Sequence, residues 1–210
     1  MYPLTDTSFY RFSTLRTVSG HNVRLFILLV AISLVCLSFQ FEPLSSVTNW
    51  QRDLIQDGQW WRILTGNFTH TNFTHLFMNV VGLWIITSIF RPSPLLLLLN
   101  VIVISIAVGL LNFLSSMYSY VGLSGVLHGL FASFALNEAL NGRKSSWLLV
   151  VAVLIKVAWE SIMGGSDTTS EWIQARIAVE SHLYGALSGL ILAGIAHFTL
   201  LKTRFFSSIK

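Results

Sequence analysis

Long uncharged apolar runs alternate with short polar segments along this chain. Runs close to the ~20 residues that carry a helix across a bilayer fall at 23–41, 73–90, 94–113, 122–140, 146–163 and 181–201. The pattern predicts an all-α membrane protein, a bundle of six transmembrane helices. The connections leave no room for a separate soluble domain. Residues 1–22 are read as a short N-terminal tail, 23–201 as the six-span domain and 202–210 as a basic C-terminal tail. The longest connection, 42–72, contains Q-W-W-R-I-L, with Trp60 and Trp61 beside Arg62. Aromatic rings next to a charge suit the headgroup region, so this first outer loop is expected to lie in the membrane interface and shield what is beneath it.

Composition supports the membrane reading: 53% of the residues are hydrophobic and only 10% charged, outside the balance of a soluble domain. The net charge of +4 does not form a basic patch, because the cations are spread over short loops, so no nucleic-acid partner is expected. Their sidedness is informative. With a cytoplasmic N-terminus, Arg11, Arg16, Arg24, Arg91, Arg143, Lys144, Lys202, Arg204 and Lys210 fall inside, and only Arg52, Arg62 and Arg176 outside. That bias puts both termini in the cytoplasm and calls for an even number of spans. The first span lacks a small-x-small cleavage site and is read as an uncleaved anchor. Cys36, the single cysteine, excludes an intramolecular disulfide and is read as a buried, inert thiol.

Polar side chains inside a span are costly, so each is a functional candidate. His75 and Asn79 lie in the second span, Ser124 and His128 in the fourth, and His182 in the sixth. These three spans all run from outside to inside, and the five residues occupy their first turns, which places them at one depth near the outer face. Gly125 and Gly129 on the fourth span, and Gly185 and Gly189 on the sixth, make two G-x-x-x-G patterns that let helix backbones approach closely. A serine hydroxyl needs a base within hydrogen-bond reach. His128, one turn along the same helix, and His182, brought by packing, both qualify, and spacing leaves the choice open. Ser124 opens a helix, where backbone N–H groups are unpaired, and His75 and Asn79 share a face at the same depth, so these groups could stabilise an oxyanion. His70 and His75 form no H-E-x-x-H motif, and neither a metal nor a cofactor is expected. G-L-S-G-V is not the G-x-S-x-G of an α/β-hydrolase elbow.

G-x-S-G at the head of the fourth span, H-x-x-x-N in the second, H-x-x-G-x-x-x-G in the sixth and W-R in the first outer loop resemble the rhomboid intramembrane serine proteases, in register over about residues 55–195. The resemblance implies a rhomboid-like six-helix fold. It makes Ser124 the nucleophile and His182 the general base, with oxyanion stabilisation from His75, Asn79 and the Ser124 N–H. Gly122 and Gly125 would shape the loop around the serine, and Trp61 and Arg62 would be structural elements of the interfacial loop. No third carboxylate is expected in this dyad. His128 stands where many rhomboids have a tyrosine packed on the catalytic histidine, and Ser181 precedes the base where alanine is usual. The string G-L-S-G-V-L-H-G in a short six-span chain is most similar to the rhombosortase subgroup of bacterial inner membranes, associated with substrates bearing a C-terminal glycine-rich motif, one transmembrane helix and a basic cluster.

The substrate expected is therefore a membrane-anchored protein in the lipid bilayer. A Gly-Gly break at the outer end of its helix can unwind and present an extended backbone to Ser124. Lys156 and Glu160, i and i+4 on the fifth span, are either a self-neutralising pair or a polar contact for the substrate tail at a gate. The alternatives are a general rhomboid protease with other single-span substrates, a non-catalytic relative that binds membrane helices, and a transporter, whose polar residues would lie at the midplane.

Overall fold

In the computed structural model, the backbone is described for residues 8–207 and the side chains for residues 20–199. The outer parts of both expected tails lie beyond these limits. The elements in chain order are α1 (Ser8–Ser38), α2 (Leu44–Thr48), β1 (Trp50–Gln51), α3 (Arg52–Gln56), α4 (Trp61–Thr65), α5 (Phe73–Phe90), α6 (Pro94–Leu111), β2 (Ser119–Tyr120), α7 (Ser124–Leu140), α8 (Ser146–Met163), α9 (Asp167–Ile173) and α10 (Val179–Ser207). The long helices end where local chemistry says they should. Asn72 caps α5 by accepting from the His75 N–H at 2.8 Å, and Ser93 caps α6, with Pro94 in the first turn, where its missing N–H costs nothing. Gly164, at φ +83°, stops α8.

Five helices among the described residues are long and apolar enough to cross a membrane: α1 from Gly20, α5, α6, α8 and α10. The chain is thus a multi-pass, all-α membrane protein. The sixth expected span, 122–140, coincides with α7 but is not among the five. At 17 residues α7 is one residue shorter than the shortest of the five; it is also enclosed by α5, α6, α8 and α10 and buries most of its length. Helices at the centre of a bundle meet protein and need not be as apolar as those that meet lipid. The outer helices instead turn Leu148, Ile155, Ile162, Ile191 and Phe198 outward, all exposed. Some of the polar groups inside are paired with one another, as where Ser133 donates to Asn100 Oδ1 at 2.7 Å.

α7 and α10 share the most extensive interface in the molecule, and glycine makes it. A Cβ on Gly185 would lie 1.8 Å from the Gly125 carbonyl oxygen, and one on Gly189 would lie 2.0 Å from that of Gly129. The two G-x-x-x-G faces therefore interlock, backbone on backbone. Buried polar atoms fix the register: Ser181 on α10 donates to Asn112 Oδ1, just past α6, at 2.8 Å. This hydrogen bond accounts for serine in place of alanine before His182.

The first outer loop folds as three short helices and one strand rather than as irregular chain. β1 pairs antiparallel with β2, Trp50 opposite Tyr120 and Gln51 opposite Ser119, which ties the first outer loop to the segment leading into Ser124. Trp50 is fully buried and donates its indole N–H to the Gly109 carbonyl at 2.9 Å. The Arg52 guanidinium donates to the carbonyls of Asn112, Phe113, Ser115 and Met117, the orphan acceptors beyond the end of α6, where a cation is favoured. Arg62 is buried and donates to the Ser46 and Asn49 carbonyls and the Gln59 side chain. Trp61 stays half exposed and donates to the Val47 carbonyl at 2.8 Å. The W-R pair thus staples α4 to α2, with rings outward and the cation inward.

Candidate active site

Ser124 is the first residue of α7. The chain reaches it through Gly122, whose φ of +124° suits glycine and whose Cβ would strike the His75 ring at 2.7 Å. The Tyr120 hydroxyl donates to the Gly122 carbonyl, and the Gly122 N–H donates to the Gly66 carbonyl at 3.2 Å. The loop before the serine is therefore held by its own backbone conformation and by the first outer loop.

His182 lies in the first turns of α10, and its Nε2 is 2.8 Å from Ser124 Oγ. The interlocked glycines set that distance, because they bring the two helix starts together. His128, the other candidate base, is occupied elsewhere. Its Nδ1 is 2.8 Å from the Ser124 carbonyl oxygen, to which it donates, and its ring stacks on His182 with centroids 4.2 Å apart and planes 18° apart. Side chains four apart on a helix stack along its surface, and here the stacking directs His128 at the backbone of Ser124 and not at its hydroxyl.

The other ring nitrogen of His182 meets a carboxylate. Nδ1 is 2.9 Å from Glu160 Oε2, and the second oxygen of Glu160 accepts from Lys156 Nζ. Glu160 is buried, while Lys156 remains more than half exposed. The i,i+4 pair expected on the fifth span is present, but Glu160 faces His182. A carboxylate thus lies against the His182 ring, where none was expected, and Glu160 faces that ring as well as Lys156. In the sequence only depth carries the signal: Glu160 lies close to the Met163 end of α8, level with the first turns of α7 and α10 that hold Ser124 and His182.

On the opposite side of Ser124, α5 presents His75 and Asn79, both buried. Thr71 donates to the Ile173 carbonyl at 2.6 Å and lies 3.1 Å from His75 Nδ1. A hydroxyl has one proton, so Thr71 accepts from His75 Nδ1–H, and Nε2 of the neutral ring carries the lone pair. Asn79 Nδ2 has no acceptor among the described residues and faces Gly122, 3.9 Å from where a Cβ on that glycine would be. His70, buried edge-on against His75 with centroids 5.0 Å apart, makes no well-formed hydrogen bond through either ring nitrogen among the described residues, the Phe68 backbone offering only a weak contact. Burial, with His75 adding to it and the Phe68 backbone partly opposing, pushes the His70 imidazole down to about 3. The sequence does not single out Thr71 and weighs His70 only as part of a metal motif, so packing is what brings both to the site. A cavity of about 930 Å³ reaches Ser124, His182, Asn79, His70, Lys156 and Arg176, large enough for a peptide segment and water.

His128, Glu160 and His182 hold ligand-type atoms within 4.8 Å of one another. Their geometry suits hydrogen bonding better than a metal ion. Stacked rings point their lone pairs in parallel, whereas tetrahedral coordination needs them to converge. His128 Nδ1, His182 Nδ1 and both Glu160 oxygens are also already engaged.

A hydroxyl whose proton faces an imidazole, at a helix N-terminus with uncommitted N–H donors beside it, is an arrangement able to attack a carbonyl and hold the resulting oxyanion. Comparison with known proteins agrees with that chemistry. The Rhomboid domain family matches residues 57–198, which spans every side chain of the site. A Bacillus subtilis (strain 168) protein named "Putative rhomboid protease YdcA" is 22% identical over 183 residues, covering 79% of this chain and 84% of that one.

Proposed function

This chain belongs to the rhomboid family, and from that premise we propose that it is an intramembrane serine protease in which Ser124 is the nucleophile and His182 the general base. The observation that carries the proposal is the 2.8 Å contact between Ser124 Oγ and His182 Nε2. In this reading Nε2 takes the Oγ proton as Oγ attacks the scissile carbonyl, and the carbonyl oxygen becomes an oxyanion facing the Ser124 N–H and Asn79 Nδ2. His182 then returns the proton to the departing amine, which leaves an acyl-serine. Water, deprotonated by the same Nε2, attacks the ester and releases the carboxylic acid and Ser124. His75 orders the pocket and adds a donor only if it takes up a second proton. His128 holds the plane of His182 by stacking, and Gly122, Gly125, Gly185 and Gly189 permit the close approach of the backbones.

The substrate proposed is a membrane-anchored protein whose helix is broken near the outer face by glycines. An unwound segment exposes the carbonyl that a helix hides. The finer proposal is the rhombosortase one, in which the substrate ends in a glycine-rich motif, a single transmembrane helix and a basic cluster, and the enzyme sits in a bacterial inner membrane with six spans and both termini in the cytoplasm. The site's position at the outer ends of α5, α7 and α10 favours this over a transporter.

The test uses the full chain in proteoliposomes with two single-span substrates, one carrying the glycine-rich, basic-tipped tail and one a plain polar-ended helix. A fluorophosphonate probe should label the wild type, and Ser124→Ala should lose both labelling and cleavage. Cleavage by Ser124→Ala would overturn the mechanism. Cleavage of the plain substrate as fast as the tailed one would overturn the sorting-tail proposal and leave a general rhomboid protease.

A further inference from the structure

We propose that Glu160 is a positioning residue for His182, so that this chain works with a Ser124–His182–Glu160 triad in place of a bare dyad; the inference rests on the reading of His182 as base. Three observations point the same way. Glu160 Oε2 lies 2.9 Å from Nδ1 on one edge of the ring, while Ser124 Oγ lies 2.8 Å from Nε2 on the other. The carboxylate is buried together with the imidazole, each side chain only 8% exposed, where a hydrogen bond to an ion is strong and a misplaced one costly. The third is how the charge is kept. Lys156, whose side chain is more than half exposed, binds the other oxygen, so one oxygen is neutralised by a cation at the solvent-accessible side and the other is left for His182.

The chemistry follows from the proton inventory. An ionised carboxylate only accepts, so Nδ1 must carry the hydrogen and Nε2 the lone pair that Ser124 needs. When the Oγ proton moves to Nε2, the imidazolium forms beside an existing negative charge. Glu160 stays ionised throughout, and no proton passes to it. The polar groups around His182 include Glu160 and Lys156 from α8, Ser124 and His128 from α7, His75 from α5, Glu180 in the first turn of its own helix and Arg176 just before it. Among them only Glu160 bonds to Nδ1. Its i,i+4 relation to Lys156 gives the sequence-level appearance of a local ion pair, while α10 supplies the third partner.

The test compares Glu160→Gln, Glu160→Asp and His182→Ala in the full chain in proteoliposomes, with ¹⁵N-histidine spectra of the first two and of the wild type. The wild type should show His182 with the hydrogen on Nδ1. In Glu160→Gln, whose amide can donate to Nδ1, the hydrogen should move to Nε2, and kcat should fall about 10²–10⁴-fold with KM within about twofold. Glu160→Asp should keep the wild-type tautomer and recover part of the rate. A purely structural role would move none of the tautomer signals. Wild-type turnover in Glu160→Gln, or a wild-type His182 protonated on Nε2, overturns the triad even if Glu160→Gln proves poorly folded. If His182→Ala still cleaves, it is the parent reading that fails; if His182→Ala is dead and Glu160→Gln normal, only the triad does.

Discussion

On the α8 and α10 side of Ser124 the polar groups are partnered in series: Lys156 to Glu160, Glu160 to His182, and His182 to Ser124. On the α5 side Asn79 Nδ2 and both nitrogens of His70 are buried without a well-formed hydrogen bond among the described residues. In the proposed mechanism the two sides have different tasks. A base must have its tautomer fixed before any substrate arrives, so its partners belong in the resting structure. An oxyanion exists only during the reaction, so its donors must be kept free of competing protein acceptors. Leaving a buried amide uncommitted costs about 1–3 kcal/mol, and the interlocked α7–α10 interface and the fully buried Trp50 anchor provide the packing that offsets it.

The largest effect is expected from breaking the partnered side. His182→Ala should lower kcat by about 10⁴-fold or more, measured as cleavage in proteoliposomes, because the serine then has no proton acceptor. His128→Phe keeps an aromatic ring against His182 and loses only the bond to the Ser124 carbonyl, so it should stay within about tenfold of wild type. The reverse ranking would make His128 the base and dissolve the contrast between the two sides.

That ranking also marks what could be read from the chain. The spans at 73–90 and 146–163 coincide with α5 and α8 residue for residue, because Asn72, the residues around Arg91, Ser145 and Gly164 punctuate them. α1 and α10 run past the expected limits to Ser8 and Ser207, since hydropathy reports the part of a helix that meets lipid and not where hydrogen bonding stops. The two-residue ladder of β1 and β2 is too short to leave a periodic pattern. Within the site, Ser124, His182, His75 and Asn79 are grouped by depth alone. The choice between His128 and His182 depends on how α7 and α10 face each other, which spacing cannot fix. Glu160 was obscured by Lys156, a complete local explanation four residues away.

The next effect down tests the uncommitted side. Asn79→Ala should lower kcat about 10²–10³-fold, the usual cost of one oxyanion donor, with little change in KM. His75→Ala should cost less, because the bond to Thr71 leaves its Nε2 without a hydrogen in the neutral ring. If His75→Ala proves the more damaging of the two, His75 works as an imidazolium and the assignment of Asn79 as main donor is wrong.

The smallest effect concerns stability and separates burial without partners from burial within a network. His70 stays neutral in the folded protein down to about 3, whereas the unfolded chain takes up that proton near the ordinary 6.5. Between those values the unfolded state binds more protons, so stability is greatest above pH 6.5 and declines as the pH falls toward 3. A single such group contributes at most about 1.4 kcal/mol per pH unit. His70→Phe fills the same space with a ring that cannot titrate. In detergent, the midpoint of thermal unfolding should fall between pH 7.5 and pH 5 in the wild type, and the variant should fall less steeply. Parallel slopes would mean that the His70 nitrogens are well served in the folded state, and that the α5 side of the site is no less partnered than the side facing His182.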